Sequence, residues 1–259
     1  MKYLIQLVWL QLRKSIRAHG VGGTLLYLLR NSAGLPTQLR RALLEATYDR
    51  RLGVRTSGLM RSSDLGIDPN KLAEVAVGAI SGSAYAPSPA WALPAILKQL
   101  DVRCEDYNFV DLGSGMGRVV LMAAEFPFAR IVGVEFSLKL HEIAKTNVLR
   151  IASRRKAGAV ELLMQDAREY KPPQGNCIIY MGNPFRENVM RTVLENLKRW
   201  LEGQQAQVYV VYFIPVLADL LDASSFLVRL KTDPYYIIYK ASLQSSNRTE
   251  TRLPNRAAV

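Results

Sequence analysis

From residue 107 onward the chain alternates two patterns of apolar positions. Short apolar runs, "YNFVDL", "RIVGV", "VELLMQ", "NCIIYM" and "QVYVVYF", predict five strands, and apolar residues at helical spacing stand between several of them. Val119, Met122, Ala123 and Phe126 fall at i, i+3, i+4 and i+7, one face of a helix. Leu140, Ala144, Val148 and Ile151 form a second stripe, and "NVMRTVLENLKRWL" reads as a third helix starting near Asn188. Strands and helices alternating through short links predict a parallel sheet covered on both faces. The end departs from this pattern. "SFLVRL" and "YYIIYK" are strand-like with only "KTDP" between them, too short for a parallel crossover, so these two strands should pair antiparallel. Ahead of the alternation, "KLAEVAVGAI" looks helical, "SGSAYAPSPAW" reads as a proline-fixed loop, and "WALPAILKQL" as a helix with Pro94 in its first turns.

Charge divides the chain differently from hydropathy. The net charge is +12 over 259 residues, yet residues 1–61 hold eleven Lys or Arg against only Glu45 and Asp49, while residues 62–246 are nearly balanced. We therefore expect a basic amphipathic helical segment over 1–61, a core domain over 62–246 and a flexible tail over 247–259. The opening run "MKYLIQLVWLQLRKSIRAHG" is broken by Gln6 and Gln11 and is too short to span a bilayer, which takes about 20 apolar residues. No small-residue cleavage site follows it. Its Leu, Trp and Tyr beside Lys and Arg suit packing on the core first, a peripheral contact with an anionic membrane second, and nucleic acid third. The expected location is cytoplasmic, with membrane association as the variant.

Two cysteines, Cys104 and Cys177, give neither a disulfide framework nor a zinc site, and a reducing compartment follows. His19 and His141 join no Ser-His-Asp set, and no metal cluster is expected. The chemistry concentrates instead at "FVDLGSGMGRVV", residues 109–120, where a strand stops, three glycines alternate with other residues and a helix begins. A phosphate loop would need a Lys, which this turn lacks. A dinucleotide fingerprint would need its third glycine where Arg118 stands. Asp111, two residues before Gly113, would oppose a pyrophosphate by about 1 kcal/mol in water and more when desolvated. The same carboxylate favours a positively charged, amine-bearing ligand, whose own carboxylate can use backbone N–H groups at the turn.

The combination resembles the class I S-adenosylmethionine-dependent methyltransferases over roughly residues 80–240. Asp111, Gly113, Ser114, Gly115 and Gly117 are similar to the family's first motif, which cradles the methionine part of the cofactor. Glu135, closing "IVGVE", resembles the acidic residue that binds both ribose hydroxyls. Asp166 and Ala167 of "MQDARE" stand where the family meets adenine. The resemblance implies an α/β Rossmann-like fold: a seven-stranded, mostly parallel sheet with an antiparallel last strand, here preceded by an N-terminal helical segment. Asn183-Pro184-Phe185 is similar to the Asn-Pro-Pro-Tyr/Phe motif of amino-group methyltransferases with one proline missing. In that motif the Asn oxygen and a backbone carbonyl accept from the acceptor amine and the aromatic ring packs on it. Tyr85 and Ser88 of "YAPSPAW" resemble the loop that covers the cofactor in histone-lysine methyltransferases lacking a SET domain. The expectation is thus methyl transfer from S-adenosylmethionine to a protein lysine or other amine. A small-molecule or lipid-associated acceptor, and a cofactor-binding module without catalysis, are the alternatives.

Overall fold

A computed structural model describes residue 20, residues 35–58, residue 60 and residues 85–243. The helices expected over 1–34 and 71–80 and the tail 247–259 lie outside the described residues. The first described helix is α1 (Leu35–Leu52), followed by α2 (Ala92–Leu100). Then come β1 (Asn108–Leu112), α3 (Arg118–Ala124), β2 (Arg130–Glu135), α4 (Leu138–Arg150) and β3 (Ala159–Met164). The chain continues through β4 (Cys177–Met181), α5 (Glu187–Leu201), β5 (Val208–Phe213), α6 (Ala218–Asp222), β6 (Leu227–Thr232) and β7 (Tyr236–Ala241).

The seven strands form one sheet in the order β3-β2-β1-β4-β5-β7-β6. The pairs among β1 to β5 are parallel, and β7 runs antiparallel to both β5 and β6. The sheet reverses direction in sequence between β1 and β4, which opens a crevice at the carboxyl ends of those strands where α/β folds bind ligands. The central strands are apolar on both faces. Phe109, Ile178 and Val211 join α1, α2 and α3 in one cluster, while Val110, Ile179 and Val210 join α5 and α6 in the other. That alternation of neighbours between two dry layers is what a parallel sheet covered on both sides requires.

The first core helix differs from the expectation of a single buried face. All seven residues of α3 are buried, Phe126 lies beyond its end, and the helix closes at Glu125. The reason is a second covering layer: the chain after α1 packs over the outer side of α3 through Thr56 and Ser57, and α1 through Glu45 and Asp49. A helix covered on two sides shows no polar stripe.

Candidate active site

Strand β1 delivers Asp111 and then stops, because Gly113, Gly115 and Gly117 all take positive φ, at 80°, 56° and 83°. Hydrogen bonds set the turn: the N–H groups of Gly113 and Ser114 donate to the Val134 carbonyl at 2.9 and 3.0 Å, and Gly117 N–H donates to Ser114 O at 2.8 Å. Two of these glycines are also required by close approach. A Cβ at Gly113 would stand 2.3 Å from Pro184 Cβ, and one at Gly115 would stand 2.3 Å from the Tyr85 ring. The glycine turn is therefore closely approached by Pro184 of the Asn-Pro-Phe segment and by the ring of Tyr85.

Asp111 is 2% exposed, and its Oδ2 has no hydrogen-bond partner; Ser114 Oγ is also buried and unpartnered. Burial pushes the Asp111 carboxyl well above its ordinary range, and the Glu135 charge adds to the shift. Glu135 is buried too, which raises it, but Oε2 accepts from Gly115 N–H and Oε1 from Ser137 N–H, each at 2.8 Å, and these bonds oppose the shift. Its carboxylate thus joins the turn after β1 to the start of α4. Buried polar atoms without partners are rare in folded proteins, so two such oxygens at one turn point to a ligand.

The loop Tyr85–Trp91 is tied down at three points. Tyr85 OH donates to Thr56 O at 2.9 Å, Ser88 Oγ accepts from Tyr180 OH at 2.8 Å, and Ala90 N–H donates to Glu45 Oε2 at 2.8 Å. Tyr85 is buried with Met116 and Leu140. At the end of β3, Gln165 N–H donates to Glu135 O at 3.0 Å, which sets Asp166 beside the end of β2. The Asp166 carboxylate pairs with Arg168 at 2.6 Å and accepts from Arg168 N–H at 2.9 Å, while Ala167 is buried. Phe136 and Met164, at the ends of β2 and β3, are exposed apolar residues next to Glu135 and Gln165.

After β4, Asn183 sits at φ 51° and its Oδ1 accepts from Tyr212 OH at 3.0 Å. Phe185 differs from the expected ring facing an acceptor: it is 8% exposed and belongs to the hydrophobic cluster that includes Val189 and Met190 of α5. In the covering loop, Trp91 makes edge contacts with Tyr235 at 5.2 Å and Phe213 at 6.3 Å and carries the Arg41 guanidinium 3.9 Å above its ring.

Tyr212, Phe136, Met164 and Arg118 were not among the expected site residues. Arg118 has the largest signal in hindsight, since a charged residue replaces the third glycine of a familiar spacing. It is 1% exposed and binds Glu45 at 2.6 Å, Thr56 Oγ1 at 2.7 Å, Ser57 Oγ at 2.6 Å and Asp49 at 3.5 Å, over the Tyr48 ring at 4.9 Å. Cys177 is fully buried and its thiol is pushed up to about 12 by desolvation, and burial lowers His141. Neither is poised for nucleophilic or acid–base work. Among the described residues no group of His, Cys, Asp and Glu could hold a metal ion, and no helix is long and apolar enough to cross a membrane.

The sheet order, the reversed β7 and the glycine turn after β1 define an α/β methyltransferase-like fold. Residues 67–161 match the family model described as Histone methylation protein DOT1. Solved structures with a similar chain course include the putative methyltransferase yhhF of Escherichia coli, at 17% identity over 61% of this chain and 89% of that one, with a TM-score of 0.44. An RNA methyltransferase from Salinibacter ruber in complex with S-adenosyl-L-homocysteine shares 23% identity over 62% of this chain and 97% of that one, with a TM-score of 0.40. The match to the YcgJ protein of Bacillus subtilis, at 18% identity and a TM-score of 0.38, covers 50% of this chain and about half, 54%, of that one. No curated protein matches the sequence.

Proposed function

We propose that this protein is an S-adenosylmethionine-dependent methyltransferase acting on an amine nitrogen, of a protein lysine or another amine. The observation that carries the reading is the buried Asp111 carboxyl, whose Oδ2 lacks a partner at a turn closely approached by Pro184. A cationic amine is the ligand that such a group prefers, because it restores both the hydrogen bond and the charge balance that burial denies. When bound, S-adenosylmethionine supplies a methyl group on a positively charged sulfur, an electrophile that needs no further activation.

The residues present fit that ligand. Asp111 and Ser114 would hold its amino-acid end, Glu135 its ribose, and Phe136, Met164, Asp166 and Ala167 its adenine, with Tyr85 and Ser88 on the covering loop. Asn183, at the end of β4, offers a carbonyl oxygen to orient an N–H donor, so that the nitrogen lone pair is aimed rather than activated by a base. Positioning of this kind supplies a large part of the rate in reactions whose leaving group is already good. The match to a histone methylation family model favours a protein as the acceptor.

The test uses the full chain. Calorimetric titration with S-adenosylmethionine and with S-adenosylhomocysteine should show binding, and ligand at about 100 times its dissociation constant should add roughly 2.7 kcal/mol of stability. Incubation of cell extract with the protein and methyl-labelled cofactor should then place label in protein. Label in lipid or small molecules only would replace the acceptor class, and absence of binding would remove the cofactor.

A further inference from the structure

Strands β4 and β5 end alike. Asn183 and Ile214 both take φ 51° and both precede a proline, Pro184 and Pro215. Left-handed backbone at a non-glycine residue costs about 1–3 kcal/mol and persists only where surrounding contacts enforce it. The two strands are paired through Met181 and Tyr212, so the two turns lie side by side. One side chain joins them: Tyr212 OH donates to Asn183 Oδ1 at 3.0 Å and accepts from Leu217 N–H, beyond Pro215, at 3.3 Å.

The direction of this chain fixes the amide. A backbone N–H can only donate, so the Tyr212 oxygen is the acceptor toward Leu217 and its single proton goes to Asn183. Asn183 must then turn its oxygen, not its nitrogen, toward Tyr212. Tyr212 is 0% exposed, so no bulk water competes for that proton. An amide oxygen accepts two hydrogen bonds, and the second remains for a group at the site.

We propose that Tyr212 is a positioning residue for the acceptor side of the site: it locks the Asn183 amide so that the second lone pair of Oδ1 receives an N–H at the transfer position. The inference rests on the methyltransferase reading above. Two ligands separate the parts. S-adenosylhomocysteine reports the cofactor site alone, whereas sinefungin, which bears an amine where the methyl group stands, also reports Asn183.

Calorimetry on the full chain should show wild-type protein preferring sinefungin. Tyr212→Phe should keep S-adenosylhomocysteine affinity within about twofold and lose the sinefungin preference by about five- to tenfold, the size of an ordinary hydrogen bond. In an Asn183→Ala background the same change should have no further effect, since the residues act as one unit. A preference that is absent from the wild type, that survives Tyr212→Phe, or that falls further in the double variant overturns the role of Tyr212. Wild-type protein that binds neither ligand overturns the cofactor reading itself, and this inference with it. If Tyr212→Phe does not fold, 4-aminophenylalanine and 4-methylphenylalanine at position 212 supply the same contrast. They have equal volume, and only the first retains a donor and the preference.

Discussion

Asp111 and Arg118 are two buried charged residues seven positions apart, on either side of one glycine turn, and the protein treats them in opposite ways. Arg118 meets two carboxylates, two hydroxyls and an aromatic face. Asp111 is left with an unpartnered oxygen and the repulsion of Glu135. Burial of a charge costs several kcal/mol in either case, and only the guanidinium is compensated from within the chain. A compensated buried charge is architecture, whereas an uncompensated one at a strand end in a sheet crevice is a place kept for a ligand.

The comparison can be broken from either side. The largest effect should come from Arg118→Ala, which strips Glu45, Asp49, Thr56 and Ser57 of their common partner. We expect a loss of about 3 kcal/mol, toward the lower end for a buried ion because Glu45 is 40% exposed, read as a fall in unfolding midpoint. Unchanged stability would mean that the Arg118 network adds nothing to the fold. Asp111→Asn should do the reverse: the free protein is no less stable, while affinity for S-adenosylmethionine falls about thirtyfold, or about 2 kcal/mol. A destabilised variant that still binds would make Asp111 architectural as well.

Gly115→Ala should cost about 1–2 kcal/mol from its positive φ, and also displace Tyr85, whose ring stands where the new Cβ would go. Weaker cofactor binding with intact folding would show that the covering loop and the turn are one unit. The smallest effect is in pH. Asp111 and Glu135 are both raised in the folded protein, so the native state holds protons more tightly than the unfolded chain. Their contribution is fully present below the ordinary carboxylate range and is lost as pH rises from there through the raised values. Stability of the free protein should therefore decline over that interval, less so in Asp111→Asn. Binding of a cation should release protons, which titration in two buffers of different ionisation enthalpy would detect.

The sheet and most of the turn were legible in the sequence for a local reason. Apolar alternation, glycine spacing and the four-residue link before β7 are all properties of neighbouring residues, and they led to a mostly parallel sheet with a reversed end and to Asp111, while Glu135 came from the family resemblance. The partners of Arg118 are 61 to 73 residues away, and Tyr212 is 29 from Asn183. No spacing rule connects such pairs. Phe126 shows the same limit, since a stripe at i+7 does not reveal that the helix has ended two residues before.

Glu45 grips the turn and its cover at once, with one oxygen on Arg118 and the other on Ala90 N–H. In mechanical terms α1 is a lever whose short arm ends at both jaws of the crevice. Anything that pulled on the basic front segment would be felt first at the loop carrying Tyr85 and Ser88 and at the first turn of α3. The composition-based boundary near residue 61 thus runs through the middle of a working joint, and a chain cut there would strip Arg118 of its four polar partners and of the layer that buries it.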